Sequence, residues 1–284
     1  MRVTFVGVGA IGLPMALRIQ HAGHAVTGVD VSETVVANSK ASGIETVGDV
    51  VDAPDADVVV VMVTTPDQLA GLVGRTTDSV SGQLWIIMST VGPQAAREQG
   101  EALRRAGARV VDAPVTGGVV RARTGELVIF AAGAPSDVAF ATPVLEAMGS
   151  VRVTGQNLGD GQSIKVVNQH LCSVHIVAAA EALSLARSLG LDPAAVLGLI
   201  EEGAAGSWML SDRGPRMVAG TDVEVTSAIN IFVKDSGLVV SAGESCGAQL
   251  PLLGRCDRRV ASRVEDLCSA YVLDGRHHVP RGVV

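Results

Sequence analysis

The fold is decided by the stretch Arg2-Val3-Thr4-Phe5-Val6-Gly7-Val8-Gly9-Ala10-Ile11-Gly12. Its first five residues form an apolar run with the length of a buried strand. Gly7 then permits a tight turn, Gly9 lets a pyrophosphate approach the backbone, and Gly12 lets a helix pack against the strand. The free N–H groups at the start of that helix would bind the pyrophosphate. The stretch therefore predicts a strand, a glycine turn and a dinucleotide-binding helix.

Residues 13–30 complete this unit. Pro14 lies near the predicted helix start, where no backbone donor is needed, and Gly23 is placed to end the helix. Residues 25–29 predict a second strand, which stops at Asp30. A carboxylate at this spacing binds the ribose hydroxyls of an adenosine and would repel a 2′-phosphate. We therefore expect NAD rather than NADP, although a glycine turn alone can be merely a turn.

The composition restricts the class of protein. The 284 residues are 48% hydrophobic, 18% charged and 2% aromatic, which predicts one large or two medium domains with an aliphatic core. The net charge of −7 and the lack of a basic cluster argue against nucleic acid as a partner. The apolar run at 58–63 is too short to span a bilayer, so no membrane association is expected. The four cysteines show no paired spacing, which predicts neither a metal site nor disulfides and fits a cytoplasmic protein.

Strand and helix patterns alternate as far as Gly155, which predicts a doubly wound parallel sheet in an α/β fold. The later strand segments are residues 58–63, 84–88, 109–112, 127–132 and 151–153. Ligands of such sheets bind beyond the carboxyl ends of the strands. Val63, Thr64 and Thr90 are therefore candidate cofactor neighbours, with ordinary loop positions as the alternative.

After Gly155 the pattern becomes helical, so we expect a dinucleotide-binding domain over residues 1–156 and an all-helical domain over residues 157–284. A long apolar helix at 162–188 should join the two domains and be buried on several sides. Further helices are expected from Asp192 onward, at 228–242 and at 252–271.

Two segments carry candidate chemistry. Gly117 and Gly118 follow Thr116 after a strand, and their N–H groups could hold a carboxylate. Lys165 lies in an apolar part of the long helix, where it either extends its amine to water or exchanges a proton with a substrate hydroxyl. Gln169, four residues on, shares its helix face. For Lys234-Asp235 a solvated or salt-bridged pair is the simpler interpretation.

Four segments together resemble the β-hydroxyacid dehydrogenase family, in the group of 3-hydroxyisobutyrate dehydrogenase and tartronate semialdehyde reductase. They are residues 7–16, 112–118, 159–169 and 234–238, and the likeness covers nearly the whole chain. The resemblance implies an N-terminal Rossmann domain followed by an all-helical C-terminal domain. It also implies hydride transfer between NAD and a small anionic 3-hydroxy acid or its semialdehyde, in a homodimer or homotetramer.

The resemblance also implies residue roles, with Lys165 as the catalytic acid/base and no metal. The implied substrate-binding residues are Thr116, Gly117, Gly118, Asn168, Gln169 and Lys234. The implied cofactor-binding residues are Gly7, Gly9, Ala10, Ile11, Gly12, Asp30, Val63, Thr64, Thr90 and Lys234.

The sequence departs from the family pattern in the substrate segments. Gln169 stands where the family usually has Asn, and Thr116 where it has Ser. Arg121 occupies a loop that is often glycine-rich, so it could bind a second anionic group of the substrate. The alternatives are that Arg121 points to solvent or pairs with Glu126. These departures bear on the substrate more than on the reaction.

The sequence is also compatible with two other functions. The chain could be a non-catalytic dinucleotide-binding module, although Lys165 argues against it. It could also be an imine reductase, which has a related fold. An acid or an aromatic residue at the Lys165 position and an NADP-type loop would favour that enzyme, and neither is present.

Overall fold

The computed structural model describes residues 1–219 and 229–254. The strands are β1 (Arg2–Val6), β2 (Ala25–Val29), β3 (Glu45–Val47), β4 (Val58–Val61), β5 (Leu84–Ile87), β6 (Arg109–Asp112), β7 (Val115–Thr116), β8 (Leu127–Gly133) and β9 (Gly149–Gly155). The helices are α1 (Gly12–His21), α2 (Glu33–Ala41), α3 (Pro66–Thr76), α4 (Pro93–Arg105), α5 (Gly118–Thr124), α6 (Pro135–Glu146), α7 (Asp160–Ser188), α8 (Pro193–Ile200), α9 (Trp208–Ala219) and α10 (Ile229–Cys246).

The nine strands form one sheet in the order β3-β2-β1-β4-β5-β6-β8-β7, with β9 on the far side of β8. The pairs from β3 to β6 are parallel, and so is the pair β8–β9. A wholly parallel sheet was expected. The observed sheet differs, because β8 pairs antiparallel with both β6 and β7. Here the chain turns back through β7 and the short α5 instead of making a full crossover. The predicted α/β fold with a doubly wound parallel sheet is otherwise confirmed, and most strand pairs are parallel.

The two faces of the sheet are buried in two separate clusters. Strand residues alternate between them, so that Val58 and Val60 face one cluster while Val59 and Val61 face the other. The first cluster includes residues of α1 and α6, and the second includes residues of α3 and α4. Helices therefore cover both faces, as a doubly wound sheet requires.

The chain divides into two compact units, Met1–Val167 and Asn168–Val284, and the division falls inside α7. The boundary expected between residues 156 and 157 precedes this helix. In the second unit, α7, α8 and α9 share an apolar cluster whose members are Ala179, Leu183, Leu197, Leu210 and Met217. The described part of this unit is helical, in agreement with the predicted change of pattern.

Helix α7 is less buried than expected, because Ile164, Val167 and Leu171 are exposed along one side. Among the described residues it has the length and composition of a membrane-crossing helix. That is weak evidence for a membrane span, because core helices of other proteins meet the same test. The helix also carries Lys165 and Gln169, both of which are buried in the protein.

The local predictions failed at two places. Helix α9 was not predicted, since Gly214 and Pro215 interrupt its sequence. The segment after residue 114 was predicted as a loop, whereas the structure forms β7 and α5 there. Cys256, Cys268 and most of the helix expected at 252–271 lie outside the described residues.

Candidate active site

The glycine turn between β1 and α1 has the geometry that its sequence predicts. Gly7 has φ +93°, and a Cβ atom there would overlap the carbonyl oxygen of Met62. A Cβ atom on Gly12 would overlap the carbonyl oxygen of Gly7, so α1 begins in contact with the turn. At Gly9 nothing lies within 4 Å of the added Cβ position, and this space would admit a ligand.

The start of α1 also suits an anion. Its N-cap, Ile11, makes no side-chain capping hydrogen bond, and the first turn contains no acidic residue. The helix dipole and the unsatisfied N–H groups therefore favour a negatively charged ligand. The turn with Gly9, Ala10 and Ile11 fits the pyrophosphate of a dinucleotide.

Asp30 follows β2 directly and is half-buried. Its Oδ1 accepts a hydrogen bond of 3.0 Å from the backbone N–H of Ser32, the residue that caps α2. This bond orients the carboxylate at the carboxyl end of β2, next to the end of β1. The position is the one from which an acid can bind ribose hydroxyls.

Val63, Thr64 and Thr90 follow the carboxyl ends of β4 and β5, which succeed β1 in the sheet. The overlap between a Gly7 Cβ atom and Met62 places Val63 beside the glycine turn. The backbone N–H of Thr64 donates to Gln68 Oε1 at 2.8 Å, as part of the capping structure at the start of α3. The structure thus brings these predicted cofactor neighbours to one edge of the sheet.

The predicted substrate loop lies between β7 and α5. Thr116 pairs with Val128 in the sheet, and Gly117 and Gly118 have φ values of +132° and +69°. Both glycines thus adopt backbone conformations that other residues rarely adopt. A Cβ atom on Gly117 would come within 2.9 Å of Cβ and Cδ of Arg121, so Arg121 packs against this turn.

The charged residues after this loop take different positions. Glu126 Oε2 accepts a hydrogen bond of 2.7 Å from Thr124 Oγ1. Arg123 lines an open cavity of about 510 Å³ that extends from Gly9 along α1 and also includes Arg18. The specificity role suggested for Arg121 stays a hypothesis.

Lys165 lies in the second turn of α7 and is only 6% exposed. The first turn of the same helix is fixed by Asp112 and Gln162, which the sequence did not reveal as functional. Asp112 Oδ2 accepts hydrogen bonds from the backbone N–H groups of Gly159 at 3.1 Å and Gln162 at 2.9 Å. The carboxylate of β6 therefore acts as the cap of the helix that carries Lys165.

The side chain of Gln162 extends this contact to the end of β5. Its Oε1 accepts from the N–H groups of Val91 and Gly92, both at 3.1 Å. Its Nε2 donates to the carbonyl of Ser89 at 2.9 Å and to Asp112 Oδ1 at 3.0 Å. Gln162 thus binds the segments on both sides of Thr90. The available signal was an acid that ends an apolar strand, but residues 112 and 162 are too far apart for a sequence motif.

Burial raises the pKa of Asp112 to about 6, and hydrogen bonds from the N–H groups of Gln162, Gly159 and Gly161 oppose that rise. Asp112 and Gln162 are both fully buried. The carboxylate accepts from neutral N–H donors, so its charge is stabilised by hydrogen bonds and the helix N-terminus.

Asn168, Gln169 and Lys234 belong to the second unit, where Asp235 connects them. Gln169 Nε2 donates to Asp235 Oδ2 at 2.5 Å, and Gln169 Oε1 accepts from Asn168 Nδ2 at 2.9 Å. Lys234 Nζ lies 2.8 Å from Asp235 Oδ1, an ion pair without hydrogen-bond geometry. One turn further, the hydroxyl groups of Ser173 and Ser236 are 3.1 Å apart. Helices α7 and α10 are therefore joined by polar contacts.

Comparison with known proteins agrees with this geometry. Residues 2–159 match the family model described as the NAD binding domain of 6-phosphogluconate dehydrogenase. Residues 159–268 match the model described as NAD-binding of NADP-dependent 3-hydroxyisobutyrate dehydrogenase. The two matches meet at the start of α7 and together cover most of the chain.

Individual proteins show the same relationship. An L-threonate dehydrogenase of Cupriavidus necator is 35% identical over 253 residues, which are 87% of this chain and 85% of the relative. A 2-hydroxy-3-oxopropionate reductase of Escherichia coli is 31% identical, over 90% of this chain and 89% of the relative. The crystal structure of a 3-hydroxyisobutyrate dehydrogenase from Salmonella typhimurium superimposes with a TM-score of 0.87 at 29% identity, over 96% of this chain and 99% of that chain.

Proposed function

The chain belongs to the β-hydroxyacid dehydrogenase family and is a nicotinamide-dinucleotide-dependent oxidoreductase of hydroxy acids, and from this premise we propose that Lys165 is its catalytic acid/base. The observation that carries the proposal is the buried side chain of Lys165, one turn beyond a helix start that is bonded to the ends of β5 and β6. Both strand ends adjoin segments with predicted cofactor or substrate residues. A buried amine at this place can exchange a proton with a substrate hydroxyl.

The proposed reaction assigns one task to each segment. A nicotinamide dinucleotide held at the glycine turn would supply the hydride acceptor for oxidation of the carbinol carbon. Lys165 takes the hydroxyl proton during oxidation and returns it during reduction. Thr116, Gly117 and Gly118 hold the substrate carboxylate, and Asn168, Gln169 and Lys234 complete the substrate-binding set. Orientation by these residues lowers the reaction barrier, because the translational and rotational entropy of the reacting groups is already lost on binding.

For the substrate, we propose a small hydroxylated carboxylic acid or its semialdehyde. Several relatives are named L-threonate dehydrogenase, and another is named for 2-hydroxy-3-oxopropionate. Both names describe short acids that carry hydroxyl groups. The loop at 116–118 supports this proposal, because its two glycines leave backbone donors unshielded by Cβ atoms. L-threonate, 3-hydroxyisobutyrate and tartronate semialdehyde are the compounds to compare first.

We also propose that NAD is preferred to NADP, because Asp30 would repel a 2′-phosphate. The exposed apolar side of α7 supports association with further copies of this chain. Ile164, Val167 and Leu171 would leave water in such a contact. We propose a homodimer or homotetramer in the cytoplasm.

Lys165→Met tests the catalytic role, because Met keeps an unbranched side chain of similar volume without the amine. We expect kcat to fall on the order of 10²–10⁴-fold, while binding of NAD, followed by fluorescence, stays within a few-fold. The unmodified protein is assayed in parallel with NAD and NADP at equal, subsaturating concentrations. Faster turnover with NADP would contradict the cofactor preference.

Near-normal turnover in a folded Lys165→Met protein would contradict the acid/base assignment. A non-catalytic module gives a third result, in which the unmodified protein binds NAD but oxidises none of the hydroxy acids. These outcomes separate the reaction, the cofactor preference and the role of the lysine.

A further inference from the structure

We propose that Asp112 is a positioning residue for Lys165, because its buried carboxylate fixes the first turn of the helix that carries the lysine. The proposal rests on the role proposed for Lys165. Asp112 is fully buried, so its carboxylate is not accessible to a substrate. Its effect on the reaction would pass through the backbone of α7 and through Gln162.

The hydrogen bonds of Gln162 allow a single orientation of its amide. Its oxygen accepts from two backbone N–H groups, those of Val91 and Gly92. Its nitrogen faces two acceptors, the carbonyl of Ser89 and Oδ1 of Asp112. If the amide were turned over, N–H would face N–H and oxygen would face oxygen. An unsatisfied buried polar group costs on the order of 1–3 kcal/mol, which selects the observed orientation.

Asp112 must therefore accept hydrogen bonds at both of its oxygens. Oδ1 receives the amide of Gln162, and Oδ2 receives the N–H groups of Gly159 and Gln162. An asparagine side chain cannot meet this requirement, because each of its two orientations places an NH₂ group against N–H donors. The network therefore requires a side chain with two acceptor oxygens at position 112, which a carboxylate provides.

This network lies where three predicted site segments come together. Ser89 and Val91 flank Thr90, the predicted cofactor neighbour after β5. Asp112 ends β6, four residues before Thr116 of the predicted substrate loop. A Cβ atom on Gly161 would come within 3.0 Å of Asp112 Oδ2 and of Pro114 Cδ, so the helix start packs directly on this segment. A shift of the helix start would therefore displace Lys165 relative to both neighbouring segments.

Three variants and a matched control test the proposal. Asp112→Asn introduces the mismatch described above. Gln162→Glu places a second carboxylate against Asp112 Oδ1 and the carbonyl of Ser89. In the double variant, Asp112→Asn with Gln162→Glu, the amide NH₂ of position 112 can donate to the carboxylate of position 162. One mismatch remains, between that carboxylate and the carbonyl of Ser89. The control is Asp137→Asn, which removes a 2.7 Å ion pair with Arg109 at the opposite end of β6.

For Asp112→Asn we expect kcat to fall on the order of 10–100-fold, because small misplacement of a catalytic group has costs of this size. The isotope effect with substrate deuterated at the carbinol carbon should rise, and KM for NAD should change less. The double variant should recover at least several-fold in kcat over both single variants. Asp137→Asn should keep kcat and the isotope effect close to those of the unmodified protein.

Amide hydrogen exchange measures how firmly Asp112 holds the start of α7, and this measurement does not depend on whether Lys165 is the acid/base. The amides of residues 159–167 should exchange faster in Asp112→Asn and return towards normal in the double variant, whether or not Lys165 is the acid/base. The proposal is overturned if folded Asp112→Asn has normal kcat or normal exchange at 159–167. It is also overturned if kcat of the double variant does not exceed that of both single variants. If exchange responds as expected but Lys165→Met stays active, the assignment of Lys165 fails and the capping function of Asp112 remains.

Discussion

Two buried glutamine–aspartate pairs are built on the same helix, and they differ in how the carboxylate is stabilised. In the first unit Gln162 and Asp112 are fully buried, and Asp112 accepts hydrogen bonds from neutral N–H groups. In the second unit Asp235 receives the amide of Gln169 and also lies 2.8 Å from the ammonium of Lys234. The first carboxylate depends on a helix N-terminus, whereas the second has a cation beside it. The difference indicates that the first pair fixes backbone and the second orients side chains.

The largest expected difference between the pairs is in stability. Gln162→Ala would leave two N–H groups, a carbonyl and a carboxylate oxygen without their partner, so we expect the first unit to lose about 4 kcal/mol in its free energy of unfolding. Gln169→Ala would leave the Asp235 oxygen and the Asn168 amide without this partner, and we expect the second unit to lose about 2 kcal/mol. Trp85 and Trp208 lie in different units, so single-tryptophan proteins can report the denaturant unfolding of each unit. A larger loss from Gln169→Ala would reverse the comparison.

The second prediction concerns how the stability of the first unit depends on pH, and its expected size is smaller than the loss in Gln162→Ala. Burial raises the pKa of Asp112 from 3.8 to about 6, so the folded state binds this proton more readily than the unfolded state. The stabilising contribution is complete below about pH 4 and is lost as the pH rises through about 6. Its size is about 3 kcal/mol, from a pKa difference of about 2 and 1.36 kcal/mol for each unit.

The measurement is the free energy of unfolding of the first unit between pH 4 and pH 7, for the unmodified protein and for Asp112→Asn. The difference between the two proteins should shrink as the pH rises, while other titrating groups cancel. Turnover should change in the opposite direction, because protonation of Asp112 removes an acceptor that the network requires. A difference in unfolding free energy that is independent of pH would contradict this account.

Sequence patterns predicted those elements whose signals lie within one short segment. The strand–turn–helix of the first thirty residues was predicted because its signals are local. Helix α9 was missed because Gly214 and Pro215 disfavour a helix, and tertiary packing of Leu210 and Met217 compensates for them.

The two pairs themselves could not be predicted. Asp112 meets Gln162 across fifty residues, and Gln169 meets Asp235 across sixty-six. No spacing rule connects such partners, since only the folded sheet and the packed helices bring them together. Gln169 was recognised from the sequence as a departure from the family pattern, but its bond to Asp235 depends on the reach of its longer side chain. The sequence therefore drew attention to Gln169 and to Asp235 separately, but not to the contact between them.

The smallest expected effect concerns Gln169→Asn, which introduces the residue that the resemblance leads one to expect. Asn is one methylene shorter, so it would lose the 2.5 Å bond to Asp235, and we expect the second unit to lose about 1.5 kcal/mol. Because Gln169 is proposed to bind the substrate, KM for the hydroxy acid should rise several-fold while kcat changes little.

Ser173→Ala is the matched control, since it removes the contact with Ser236 between the same two helices. It should lower the stability of this unit by about 1 kcal/mol and leave KM unchanged. An equal rise of KM in both variants would show that loosening of the two helices, and not the amide of Gln169, controls substrate binding.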